Sequence, residues 1–249
     1  MSGPAPYGLV LVPGMMCDER LFTPQIARFS RDLPVHVCDI AGHDTMAALA
    51  EAALAAIPFR RFALAGLSMG GICAMEMVRQ ADERVERLAL LDTNHLADAP
   101  ERRPVRNRQI EDVRAGRLRQ VIVEEMKPHY LAAANRHDAV LLDLLIRMAM
   151  DLGPDCFIRQ STALRDRPDY SSVLAGYHGQ ALVLCGQEDV VCPPERHSAM
   201  ASLLPNAVLA IIAGSGHLTT LEAGRQVNAH LENWLGMPNE HDDPKGVHA

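Results

Sequence analysis

The stretch ALAGLSMGGICAMEM, Ala63–Met77, joins two apolar segments through one polar residue. Ahead of Ser68, RFALAGL has the length and unbroken apolar character of a strand covered on both faces. Behind it, MGGICAMEMVRQ reads as a helix. The joint, Gly66-Leu67-Ser68-Met69-Gly70, fits G-x-S-x-G, a pattern in which serine occupies a sharp strand-to-helix turn with its hydroxyl above the sheet. Glycines on either side let the chain turn without clashes. The helix start presents N–H groups that favour developing negative charge. The plainer alternative is that Ser68 is an N-cap, accepting a hydrogen bond from its own helix.

The alternation continues outward. Strand-length apolar runs fall at Gly8–Val12, Val35–Asp39, Phe62–Leu67, Arg87–Leu91, Ala181–Cys185 and Val208–Ile212. Helical patterns cover Asp18–Phe29, Thr45–Ala56, Met69–Gln80, Pro194–Leu203 and Leu218–Leu235. This predicts an α/β fold, a doubly wound, mostly parallel sheet of about six strands. From His95 to about His178 the pattern is helical throughout, clearest in DAVLLDLLIRMAMDL, Asp138–Leu152. The expected organisation is a core from residues 1–94 and 179–238, a helical cap at 95–178 over the strand ends, and a loose polar tail at 239–249.

With 249 residues, 48% hydrophobic and 22% charged, the chain can bury a large core. A net charge of −7 argues against nucleic-acid or anionic-membrane binding. No apolar run reaches the roughly 18 residues of a membrane span, and the first residues do not read as a signal peptide. Cys17, Cys38, Cys73, Cys156, Cys185 and Cys192 form no CxxC pair. The expectation is a cytoplasmic protein with reduced, mostly buried thiols. No phosphate-binding loop, dinucleotide glycine pattern or cluster of metal ligands is visible, so neither cofactor nor metal is expected.

A serine hydroxyl needs a base to act as a nucleophile. Of the 11 histidines, His217 in IIAGSGHLTTLEAG follows the last strand. Parallel strands gather their C-terminal ends at one edge, which places His217 on the same side as Ser68. The other histidines lack this placement and read mostly as surface residues. Asp189, in a loop after ALVLCGQE, is the favoured acid to orient the imidazole. Glu188 beside it and Asp92, which ends RLALLD, are the alternatives. For an oxyanion the expected donors are the backbone N–H of Met69 and that of Met15, after Gly14 in LVPGMMCDERLF.

The segments LVLVPGMMCDERLF, GLSMGG, RPDYSSVLAGYHGQALVLCGQEDVVCPP and GSGHLTTLE, with the order Ser68, Asp189, His217, resemble the α/β-hydrolase superfamily, in particular its small esterases. Two departures stand out. Pro13-Gly14 replaces the His-Gly common in the family, and the two usual N-terminal strands are missing, leaving six parallel strands rather than eight. The resemblance implies a serine hydrolase that cleaves a small acyl substrate, foremost a carboxylic ester, through an acyl-enzyme. It leaves open an enzyme of this fold acting on lactones, peptides or C–C bonds, or a non-catalytic ligand-binding or signalling member. Finally, residues 100–120, PERRPVRNRQIEDVRAGRLRQ, hold seven arginines against three acids. This is either a solvated helical face or a surface that attracts an acidic substrate or carrier protein.

Overall fold

A computed structural model describes residues 7–237. The expected loose tail, 239–249, lies outside the described residues. Strand β1 (Leu9–Val12) is followed by a 3-10 turn at Glu19–Phe22 and helix α1 (Thr23–Phe29). The single helix expected from Asp18 is thus split. Asp18 caps the tight turn, and Pro24 sits in the first turn of α1, where a missing N–H costs nothing. Strand β2 (Val35–Val37), α2 (Met46–Ala56), β3 (Phe62–Leu67), α3 (Met69–Ala81) and β4 (Val85–Leu91) complete the first half.

The six strands form one parallel sheet in the order β2-β1-β3-β4-β5-β6, with β5 at Gln180–Gly186 and β6 at Ala207–Ile212. Strand residues alternate between two cores. Val10, Val12, Leu64, Leu88 and Val183 face α2 and α3, while Leu9, Leu11, Ala65, Leu91 and Leu184 face the other helical layer. That burial on both faces is why these strands read as continuous apolar runs. The edge strand β6 departs from the pattern: Val208, Leu209 and Ile211 are exposed.

Chain order reverses between β1 and β3. Such a switch point opens a crevice at the carboxyl ends of the strands. Two glycines make the turn there possible. A Cβ on Gly66 would fall on the Gly70 carbonyl, and one on Gly70 would fall on the carbonyl oxygens of Val12 and Pro13. Helix α3 can therefore approach β1 and β3 only with hydrogen at both positions.

Between β4 and β5 the chain forms helices only: α4 (Arg102–Arg114), α5 (Leu118–Gln120), a π turn at Val121–Met126, a 3-10 turn at Lys127–His129, α6 (Ala139–Arg165) and α7 (Ser171–Gly176). The Asp138 side chain caps α6 by accepting from the Val140 and Leu141 N–H groups. Gly153, at φ 77°, interrupts the helical path, so a first half ends at Leu152 and Pro154 opens a second. After β5 come α8 (Pro194–Leu203), α9 (Thr219–Glu222) and α10 (Gly224–Leu235). The helix expected over Leu218–Leu235 is two helices, because Ala223 leaves the helical region. No helix among the described residues is long and apolar enough to cross a membrane.

Candidate active site

Ser68 sits between β3 and α3 at φ 55°, ψ −117°, a backbone conformation costly for any residue with a Cβ. Its side chain makes no capping bond to α3. Instead Oγ lies 2.9 Å from Nε2 of His217. Nδ1 of His217 lies 2.8 Å from Oδ2 of Asp189. The other Asp189 oxygen, Oδ1, accepts the N–H groups of Val191 and Cys192, both at 2.8 Å, which fixes the carboxylate plane. Asp189 and His217 are almost fully buried. Three side chains from the ends of β3, β5 and β6 thus meet in one chain of hydrogen bonds.

The two alternative acids have other partners. Glu188 accepts the Ala133 N–H at 2.8 Å. Asp92, fully buried at φ 46°, accepts the N–H groups of Gly186 and Thr219, each at 3.1 Å, and the Thr219 hydroxyl at 2.6 Å. It clamps the ends of β4 and β5 to the start of α9. Burial, and then the negative charge of Asp189, push its carboxyl well above the ordinary carboxylate range. For His217, burial disfavours the imidazolium, but the Asp189 carboxylate on Nδ1 outweighs it and raises the imidazole above its usual value.

Gly14 accepts the Cys17 N–H at 3.2 Å, closing a tight turn with Met15 and Met16 at its apex. Met16 adopts φ 55°, and its N–H donates to Gln160 Oε1 at 2.8 Å. Gln160 in turn donates to the Ile40 carbonyl at 3.1 Å, so the second half of α6 braces the turn. The Met15 N–H makes no hydrogen bond among the described residues. Met69, the first residue of α3, has no carbonyl one turn back within the helix. Met15, Ser68, Met69 and His217 line one cavity of about 450 Å³, roofed by Arg102, Arg106, Met126, Tyr130 and Leu164 from the helical segment.

Several supporting residues were not singled out from the sequence. Thr93 donates its hydroxyl to the Ser68 carbonyl at 2.6 Å and its N–H to His197 Nε2 at 2.9 Å. His197 is not a surface residue but fully buried, and burial lowers its pKa to about 4. It stays neutral and accepts through Nε2. His95 is likewise buried. Glu222 of α9 accepts from the N–H groups of Gly216 (2.9 Å) and Ala132 (2.8 Å) and from Asn135 Nδ2 (3.0 Å). The His217 N–H donates to the Tyr130 carbonyl at 2.8 Å. These bonds fasten residues 130–135 to the loop that carries His217. A Cβ on Gly216 would lie 2.6 Å from the Ala132 nitrogen, so the two segments meet backbone to backbone.

Asp189, Cys192 and His217 offer donor atoms within 4.8 Å of one another, the spacing a metal ion needs. That donor set does not suit a metal. Both Asp189 oxygens are already engaged, and burial pushes the Cys192 thiol up to about 12, leaving it protonated.

Residues 9–230 match the model of the alpha/beta hydrolase family, and the chain belongs to that family. RutD of Yersinia enterocolitica, assigned as a carbamate hydrolase, is 25% identical over 95% of this chain and 90% of its own length. A thermophilic esterase from Thermogutta terrifontis superposes with a TM-score of 0.85 at 28% identity, covering 94% of this chain and 91% of that one. An enol-lactonase from Burkholderia xenovorans shares the fold, with a TM-score of 0.83 at 21% identity over 94% and 92% of the two chains. The chain is a hydrolase of the α/β fold.

Proposed function

We propose that the protein is a serine hydrolase that cleaves small carboxylic esters through an acyl-enzyme. The observation that carries this reading is the relay from Ser68 Oγ through His217 to Asp189, opening on a cavity of small-molecule size. Esterase chemistry in a relative 28% identical supports the same substrate class.

Ser68 Oγ attacks the ester carbonyl carbon while His217 Nε2 takes its proton. Asp189 keeps the remaining imidazole proton on Nδ1 and stabilises the imidazolium. The carbonyl oxygen becomes an oxyanion, received by the N–H groups of Met15 and Met69. Collapse breaks the bond to the alkoxy group, which leaves with the proton from Nε2. Water then attacks the acyl-enzyme, with Nε2 again accepting a proton, and the acid departs as Ser68 recovers its hydrogen. Every step draws on groups of this chain.

A fluorophosphonate probe should label Ser68, and a panel of short-chain esters should show multiple turnovers. Labelling without turnover would assign the cavity to ligand binding instead, and loss of both would end the proposal. The protonation of His217 adds a pH signature. Because the base must be neutral and its pKa is raised, kcat/KM should fall as pH drops through a midpoint above the ordinary 6.5. A rate profile with an acid limb centred below 6.5 would contradict the Asp189–His217 coupling.

A further inference from the structure

Three guanidinium groups stand on the roof of the cavity that Ser68 opens into: Arg102 and Arg106, one turn apart on α4, and Arg167, just beyond α6. One carboxylate serves them. Asp98 receives Nε of Arg106 at 2.6 Å and Nη1 of Arg167 at 2.8 Å, all three side chains being nearly buried. The Arg102 side chain has no ion pair or hydrogen bond among the described residues; only its backbone N–H donates, to the Ala99 carbonyl. Nη1 of Arg106 and Nη2 of Arg167 also lack a hydrogen-bond partner there. Glu125, the acid on the cavity wall, is already neutralised by Arg108 at 2.6 and 2.9 Å and also accepts from Gln109 Nε2 at 3.0 Å. The wall therefore keeps an excess of positive charge.

The position of Arg102 adds a second argument. It opens the first turn of α4, which contains no acidic residue, and the N-cap Glu101 before it is exposed and makes no capping bond. A helix start already carries partial positive charge, so a cation there is unfavourable unless an anion joins it. The surrounding arginines behave differently. Arg103, Arg108 and Arg114 on α4, and Arg117 just after it, are each paired to acids of the chain, so the α4 arginine left without a direct ion pair is Arg102, at the cavity.

We infer that the preferred substrate carries a second, carboxylate group, received by Arg102 and the unused edges of Arg106 and Arg167 while its ester carbonyl lies at Ser68. This rests on the hydrolase reading above and narrows its substrate class. A guanidinium fork matches a carboxylate in a plane. A cavity of about 450 Å³ suits a short half-ester of a dicarboxylic acid.

The test compares the p-nitrophenyl monoester of pimelic acid, ending in a carboxylate, with p-nitrophenyl heptanoate, its uncharged counterpart. Wild-type protein should prefer the anionic ester, and added salt should erode that preference. Arg102→Gln should lower the ratio of the two kcat/KM values about tenfold, chiefly through KM, and Arg102→Lys should recover part of it. Arg114→Gln, an equal loss of charge at the far end of α4, should leave the ratio where it was. Equal effects of the two Gln variants, or a wild-type preference for the heptanoate, would overturn the inference. Calorimetry of the pimelate monoester with Ser68→Ala protein separates the two readings, since it needs no turnover. Arg102-dependent binding without any hydrolysis by wild type would sink the hydrolase reading alone. Turnover of both esters with binding indifferent to Arg102 would sink this inference alone.

Discussion

Ser68→Ala lowers kcat on a small ester by about 100,000-fold or more, since the nucleophile and its proton relay disappear together. The fold should survive the change. Ser68 donates nothing to the helix it precedes, and alanine meets the same backbone demand at φ 55°, ψ −117°. Ser68→Gly separates chemistry from stability. Glycine adopts that conformation freely, so this equally inactive variant should unfold at a higher temperature than Ser68→Ala, by about 1–3 kcal/mol of released strain. The measurements are initial rates on p-nitrophenyl esters and thermal melts. Hydrolysis by Ser68→Ala within tenfold of wild type would remove Ser68 from the chemistry.

Asp189→Asn should cost about 10,000-fold in kcat. An amide at this site would turn a donor toward Nδ1 of His217 and hold the imidazole in the tautomer that protonates Nε2, where the base must be free. Asp92→Asn should behave in the opposite manner. Its carboxylate accepts from Gly186 and from both donors of Thr219, so an amide N–H on that side meets donors and costs about 1–3 kcal/mol of stability. The loss of kcat should be far smaller than for Asp189→Asn. Rates and denaturation midpoints of the two variants, measured side by side, decide the assignment. A larger fall in kcat for Asp92→Asn would reverse the roles.

Local pattern carried the sheet and the meeting of Ser68, Asp189 and His217, for a definite reason. Strands buried on both faces leave unbroken apolar runs, and parallel packing sends every carboxyl end to one edge. A residue just past such a run is therefore placed in space by its place in the chain. The same logic favoured Asp189, in the loop after its strand, but kept Asp92 as a rival, because both lie at the carboxyl ends of strands. Only the geometry shows that one carboxylate meets the imidazole and the other meets Thr219.

What local pattern missed depends on distant partners. Gln160 braces Met16 across 144 positions, and Glu222 reaches Ala132 across 90. No periodicity records such bonds. The arginine-rich stretch shows the same limit. Counted within residues 100–120 its charge looks free, yet Asp98, Glu125 and Asp166 outside that window neutralise much of it. Helix ends were missed at Phe22 and Ala223, where a single residue's backbone angles, not composition, divide the element.

The seam between residues 130–135 and the histidine loop has a bearing on how molecules come and go. Peeling that border of the roof outward would drag the imidazole at position 217 with it and dismantle the relay in the same motion. A substrate path that keeps the relay intact is one that leaves this seam closed, and the cavity lining also reaches solvent at Arg102 and Val190.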